Sequence, residues 1–163
     1  MIIKGANGNK FTFTLRFVTL SKVCEQTGYV YTKKPVLTKL PLDVGIDNHI
    51  WQQSILISEI EQVIKWFENL LLNNVEEDVI EVYYKQLKFE LLKHNPNFKK
   101  IRITHDSSIP IPFMGGYSLA TGFKYEDVFK KISIEFEMDV TEQKRIVQEL
   151  VNELNDSNRV LWK

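Results

Sequence analysis

The stretch Ser58–Leu72, SEIEQVIKWFENLLL, constrains this fold more than any other because it signals a start, a buried face and an end. Ser58 followed three residues on by Glu61 has the form of a capping box, in which hydroxyl and carboxylate satisfy two orphan amides of a helix start. Ile60, Val63, Ile64, Phe67 and Leu71 recur at helical spacing and form one apolar stripe. Glu61, Lys65 and Glu68 fall opposite, and Trp66 flanks the stripe. Asn73 and Asn74 suit the left-handed conformation that ends helices. A helix with one apolar face needs a surface to cover, so the rest of the chain must supply one.

Period-two segments supply it. Phe11, Phe13, Leu15 and Phe17 alternate with Thr12, Thr14 and Arg16, which predicts a strand buried on one face. Gly5, Asn7, Gly8 and Asn9 precede it as a turn, so Ile2 and Ile3 fold back on it as a short strand. A second β region spans Tyr29 to Val44, with Pro35 and Pro41 suited to an edge or a bend. Residues 45–48, Gly-Ile-Asp-Asn, read as the loop leading into the central helix. Over 75–92, a ladder of every fourth residue (Val75, Val79, Tyr83, Leu87, Leu91) competes with the alternation of Leu87, Phe89 and Leu91. Two strands are favoured over a helix because Val79–Tyr84 is rich in β-branched and aromatic residues.

Residues 94–97, His-Asn-Pro-Asn, form a turn, and Ile101–Thr104 a further strand. Pro110, Pro112, Gly115, Gly116 and Gly122 make 105–126 irregular; with Phe113, Met114 and Tyr117 it reads as a cover over the core or a binding surface. Ile132, Ile134, Phe136 and Met138 define the clearest late strand. A second helix follows, capped by Asp139 or Thr141, with Ile146, Val147, Leu150, Val151 and Leu154 on its apolar stripe. The expected architecture over 1–163 is a single α+β domain, a mostly antiparallel sheet packed against two amphipathic helices.

Composition narrows the function classes. With 44% hydrophobic and 12% aromatic residues the chain can build a core. A single cysteine, Cys24, gives no internal disulfide, and its neighbour Glu25 works against a reactive thiolate. No signal-like or membrane-spanning apolar run is present, so a soluble cytoplasmic protein is expected. Lys plus Arg and Asp plus Glu are 21 each, which gives no general attraction to nucleic acid or membrane. The signs are unevenly placed: residues 1–40 hold seven basic side chains and one acidic, 43–81 one and nine, 85–131 nine and four. Either the elements interleave these blocks into a mixed surface, or the fold carries separate acidic and basic faces.

Motifs for chemistry are sparse. His105 and Asp106, with His49 elsewhere, lack a nucleophile or further ligands at defined spacing, and both histidines read as loop residues. Gly115 and Gly116 lack the strand-to-helix context of a phosphate cradle. No catalytic residue, cofactor or metal site is expected. Trp51, Trp66 and Trp162 read as core or core-edge anchors.

The order of elements resembles the WapI-like immunity proteins of bacterial polymorphic-toxin systems. The likeness is carried by Ile3, Gly5 and Gly8 with the alternation from Phe11 to Leu15; by Leu56 through Glu59 to Leu71 as the central helix; by Leu87–Leu91; and by Ile132–Phe136 followed by the helix around Leu150 and by Arg159. The resemblance implies a non-enzymatic protein that occludes the active site of a cognate toxin domain. Toxins that act on nucleic acid have basic clefts, so a concentrated acidic surface would suit the inhibitor. Glu76, Glu77, Asp78 and Glu81 are the densest part of the acidic block, with Tyr83 or Tyr84 as a neighbouring aromatic anchor. The other outcomes are a solvated acidic turn, and, from a different class, a small-molecule enzyme or carrier using His105, Asp106 and the 105–126 loop.

Overall fold

The structure is a computed structural model that describes residues 1–5, 7–21, 23, 26–28, 30, 32–33, 36–109, 130–157 and 161–162. Cys24, Tyr29, Phe113, Met114, Gly115, Gly116, Tyr117 and Arg159 lie outside the described residues, as does the side chain of Trp162.

The expected α+β class holds, with two antiparallel sheets rather than one. The first contains β1 (Ile2–Lys4), β2 (Lys10–Leu15), β4 (Lys39–Ile46) and β5 (His49–Leu56), in that spatial order, while β3 (Thr19–Leu20) lies outside it. Helix α1 (Ile57–Leu71) follows directly. The second sheet is a meander of β6 (Val79–Val82), β7 (Leu87–Asn95), β8 (Phe98–Asp106) and β9 (Lys131–Asp139). Helix α2 (Val140–Ser157) and β10 (Leu161–Trp162) complete the chain, β10 pairing in parallel with β3.

Alternation dictates which face each strand buries. Phe11, Phe13 and Leu15 point inward from β2, and Leu40, Leu42, Val44 and Ile46 from β4. Ile80, Val82, Leu87, Phe89, Ile101, Ile103, Ile134, Phe136 and Met138 do the same for the second sheet. Helices α1 and α2 pack on each other, and each touches both sheets. Phe89 is the meeting point. Its ring stands edge-on to Phe11 of the first sheet at 6.1 Å and to Phe67 of α1 at 5.9 Å, so one aromatic cluster joins three elements. Within 75–92 the chain forms the two strands β6 and β7, as its β-branched content favours, because Ile80, Val82, Leu87 and Phe89 all reach this core.

Two expectations are corrected. Residues 45–48 are not a loop into the helix: Gly45 and Ile46 end β4, Asp47 and Asn48 form a two-residue hairpin turn, and an unforeseen strand, β5, stands between it and α1. Asp47 takes a left-handed φ of 51° and accepts the Lys10 amide on its carboxylate at 2.9 Å. Gly45 is required by packing, since a Cβ there would lie 2.3 Å from Thr12 Oγ1. Helix α1 also begins before the Ser58–Glu61 box. Leu56 is its N-cap and has no polar side chain to offer, so only the reciprocal bond forms, from the Leu56 amide to Glu59 Oε2 at 3.1 Å. Trp66 is buried within the stripe rather than beside it, and Leu71 is only half-buried. The other end follows expectation: Asn73 is left-handed at φ 56°, Asn74 N–H donates to Asn69 C=O and Asn73 N–H to Leu70 C=O, a Schellman stop. In α2 the cap is Asp139, whose Oδ1 accepts the Glu142 amide at 2.8 Å.

Helix α2 also seals one edge of the first sheet. Glu149 accepts the Ile2 amide, Arg145 donates to the Ile2 carbonyl at 2.6 Å, and Glu153 accepts the Leu15 amide and the Met1 ammonium. Arg145 is itself held by Glu142 and Glu149. Charged side chains at i, i+4 and i+8 thus stand in for the missing neighbour of β1.

Candidate functional site

The six residues singled out for partner binding occupy two places. Glu76, Glu77 and Asp78 are exposed in the connection between α1 and β6, and Glu81 is exposed on β6 across from Lys88. The backbone under the acidic run is anchored: Trp66 Nε1 donates to the Glu77 carbonyl at 2.9 Å, and the Leu91 amide to the Asp78 carbonyl at 2.7 Å. Glu76 and Glu77 border a shallow depression with Gln62, Lys65, Trp66 and Asn69 of α1.

Tyr83 and Tyr84 do not share that depression. They sit in the β6–β7 turn and line a separate open groove with Arg16, Lys39, Gln52, Gln53 and Ser54. Tyr83 is buried, at 8% exposure, which corrects its reading as a surface anchor; Tyr84 is 42% exposed and meets the Tyr83 ring edge-on at 5.6 Å. Tyr83, Tyr84 and Lys85 take φ of 52°, 54° and 68°, three consecutive non-glycine residues in the left-handed region, each costing about 1–2 kcal/mol. Neighbours hold the turn in place. Glu59 Oε1 accepts the Tyr83 amide at 2.8 Å, the Gln86 amide donates to the Tyr83 carbonyl, and the Gln86 carbonyl accepts the Asp106 amide at 2.8 Å.

Behind this groove lies a buried polar cluster that the sequence pattern did not reveal. His105 is not a loop residue. It is on the inner face of β8, in the row of Ile101 and Ile103, and is 1% exposed. Trp51 of β5 stacks on it, ring centroids 4.0 Å apart and 19° from parallel, and His49 stacks in turn on Trp51 at 6.0 Å. His105 Nε2 is 3.4 Å from Gln53 Oε1, a long hydrogen bond; His105 Nδ1 and Gln53 Nε2 have no partner among the described residues. Burial pushes the His105 pKa down to about 4 against the opposing pull of Asp106, so the ring is neutral at pH 7. No family model, curated protein or solved structure matches this chain. The site therefore has to be read from its own geometry.

Of the 105–126 loop only 105–109 is described; His105 is enclosed rather than open to a substrate, and Asp106 is half-buried and accepts the Ser108 amide on Oδ1 at 3.1 Å. Among the described residues no group of three or more His, Cys, Asp or Glu could hold a metal, and no helix is long and apolar enough to cross a membrane. Register would have found His105: it lies two residues beyond Ile103 on the same face. The groove cations Arg16 and Lys39 carry no comparable signal, because their proximity depends on the β2–β4 pairing.

Proposed function

We propose that this protein is a non-enzymatic immunity protein that binds a cognate bacterial toxin domain in the cytoplasm and occludes its active site. The observation that carries this reading is the acidic run Glu76, Glu77 and Asp78: all three side chains are exposed while two carbonyls beneath them are pinned to Trp66 and Leu91. A surface that must meet a basic cleft benefits from such anchoring, because charge held in place steers association without an ordering cost on binding. Glu81 extends the acidic surface onto β6, and Tyr84 is the exposed aromatic nearest in sequence. Occlusion requires about 1,200–2,000 Å² of buried surface and a few anchors rather than catalytic groups.

Co-expression with the toxin-like product of the neighbouring gene tests the reading. Protection of the host and co-elution on a sizing column are expected; absence of both would sink it. The triple variant Glu76→Lys, Glu77→Lys, Asp78→Lys should fold normally and associate more slowly, with a weaker dependence of the on-rate on salt.

A further inference from the structure

We propose that the groove between β5 and the β6–β7 turn is a second interaction surface, which takes an acidic, extended segment of a partner polypeptide. The proposal is independent of the acidic surface around Glu76, since it rests on different residues of opposite charge.

Three features of the groove point to this occupant. Its charged walls are both cationic: among the described residues the Lys39 ammonium has no ion-pair or hydrogen-bond partner, and Arg16 approaches Asp43 Oδ1 through Nε at 3.2 Å. Tyr84 supplies an exposed aromatic wall. The tyrosines are presented by a left-handed turn that Glu59 and Gln86 hold in place, and strain of this kind is kept where a surface must be shaped in advance.

The shape selects a polypeptide over a small molecule. The groove is open along its length, whereas small ligands need enclosure over most of their surface. A polypeptide segment lying across the outer face of β4 and β5 with carboxylates on one side would set them against Lys39 of β4 and Arg16 just beyond β2.

The test uses a fluorescein-labelled eight-residue peptide of alternating threonine and glutamate, with the threonine–glutamine peptide as control, titrated against the full chain by fluorescence anisotropy. The glutamate peptide is expected to bind at least tenfold more tightly than the glutamine one. Lys39→Glu and Tyr84→Ala should each weaken it by about tenfold with an unchanged thermal unfolding curve. Glu76→Lys should leave the affinity within about twofold, which separates this groove from the acidic surface. Equal binding of the two peptides, no binding at millimolar protein, or full affinity in Lys39→Glu would overturn the proposal.

Discussion

Two buried polar side chains stand at opposite ends of the same row on β8, and they are treated differently. Lys99 opens the inner face of the strand and His105 closes it, with Ile101 and Ile103 between them. Lys99 is fully buried, yet its ammonium donates to Asn73 Oδ1 at 2.7 Å and to the Asn95 carbonyl at 2.6 Å. Asn73 is the left-handed residue just beyond α1, which has no basic residue in its last turn. Lys99 thus brings a positive charge to a helix C-terminus from another element, where the helix dipole favours it. Burial still lowers its pKa. His105, by contrast, has one ring nitrogen without a partner among the described residues, packs against a glutamine whose amide nitrogen likewise has none there, and adjoins the strained turn of Tyr83–Lys85. One end of the row is a completed structural joint; the other retains unmet hydrogen-bonding capacity next to an open groove. Unmet polar groups and strain gathered in one place mark a surface shaped for something beyond stability.

The sharpest way to break this contrast is at Lys99. Replacing it with Met should cost about 3 kcal/mol, because two hydrogen bonds are lost and the Asn95 carbonyl and the end of α1 are left without their cation. Urea unfolding measures it, and a loss below about 1 kcal/mol would mean the joint is not structural. At the other end the expected effect depends on pH. The folded-state pKa of His105, about 4, is below the unfolded value near 6.5. The stability associated with the neutral ring is fully present above pH 6.5 and is lost as pH falls toward 4, by up to about 3 kcal/mol. His105→Gln should remove that portion of the slope, and an unchanged stability–pH curve would show that the ring protonates freely in the folded state. Smaller still is the strain in the turn. Lys85→Gly at φ 68° should stabilise by about 1 kcal/mol, since glycine adopts that conformation without penalty. Least of all, exposed Lys65→Ala on α1 should change stability by less than about 0.5 kcal/mol, the baseline for surface positions away from either end.

The same contrast explains what was legible in the sequence. Strands β2, β8 and β9 and the apolar faces of both helices could be read because each buries a regular apolar row, and nothing competes with that periodicity. Phe67 and Leu150, central in their helical stripes, are both fully buried. Strand β5 was missed because its pattern is inverted at the site: His49, Trp51 and Gln53 face the polar cluster, while Ile50 is 71% exposed on the outer face. Alternation could not announce a strand whose inner half is polar. His105 reads as a loop residue for the same reason, a polar group at the end of an apolar row. The start of α1 was misplaced because Ser58 and Glu61 fit the capping pattern, while the amides were satisfied by Glu59, whose second oxygen also reaches the Tyr83 turn. One carboxylate serving two elements is a tertiary arrangement, and local spacing does not encode it. Local rules fail here where the candidate site lies, as expected when function and folding place different demands on the same residues.

The clamp of α2 on β1 also sets a timetable. The Ile2 amide is covered by Glu149, 147 positions later in the chain. At synthesis rates of about 5–20 residues per second, the sealing helix follows its strand by roughly 7–30 s. Throughout that interval the first sheet can assemble from β1 to β5, since its strands lie close in sequence, but it does so with two bare edges instead of one. A nascent chain of this protein is thus most open to pairing with its neighbours while it is still on the ribosome, and loses half of that exposure when the last helix docks.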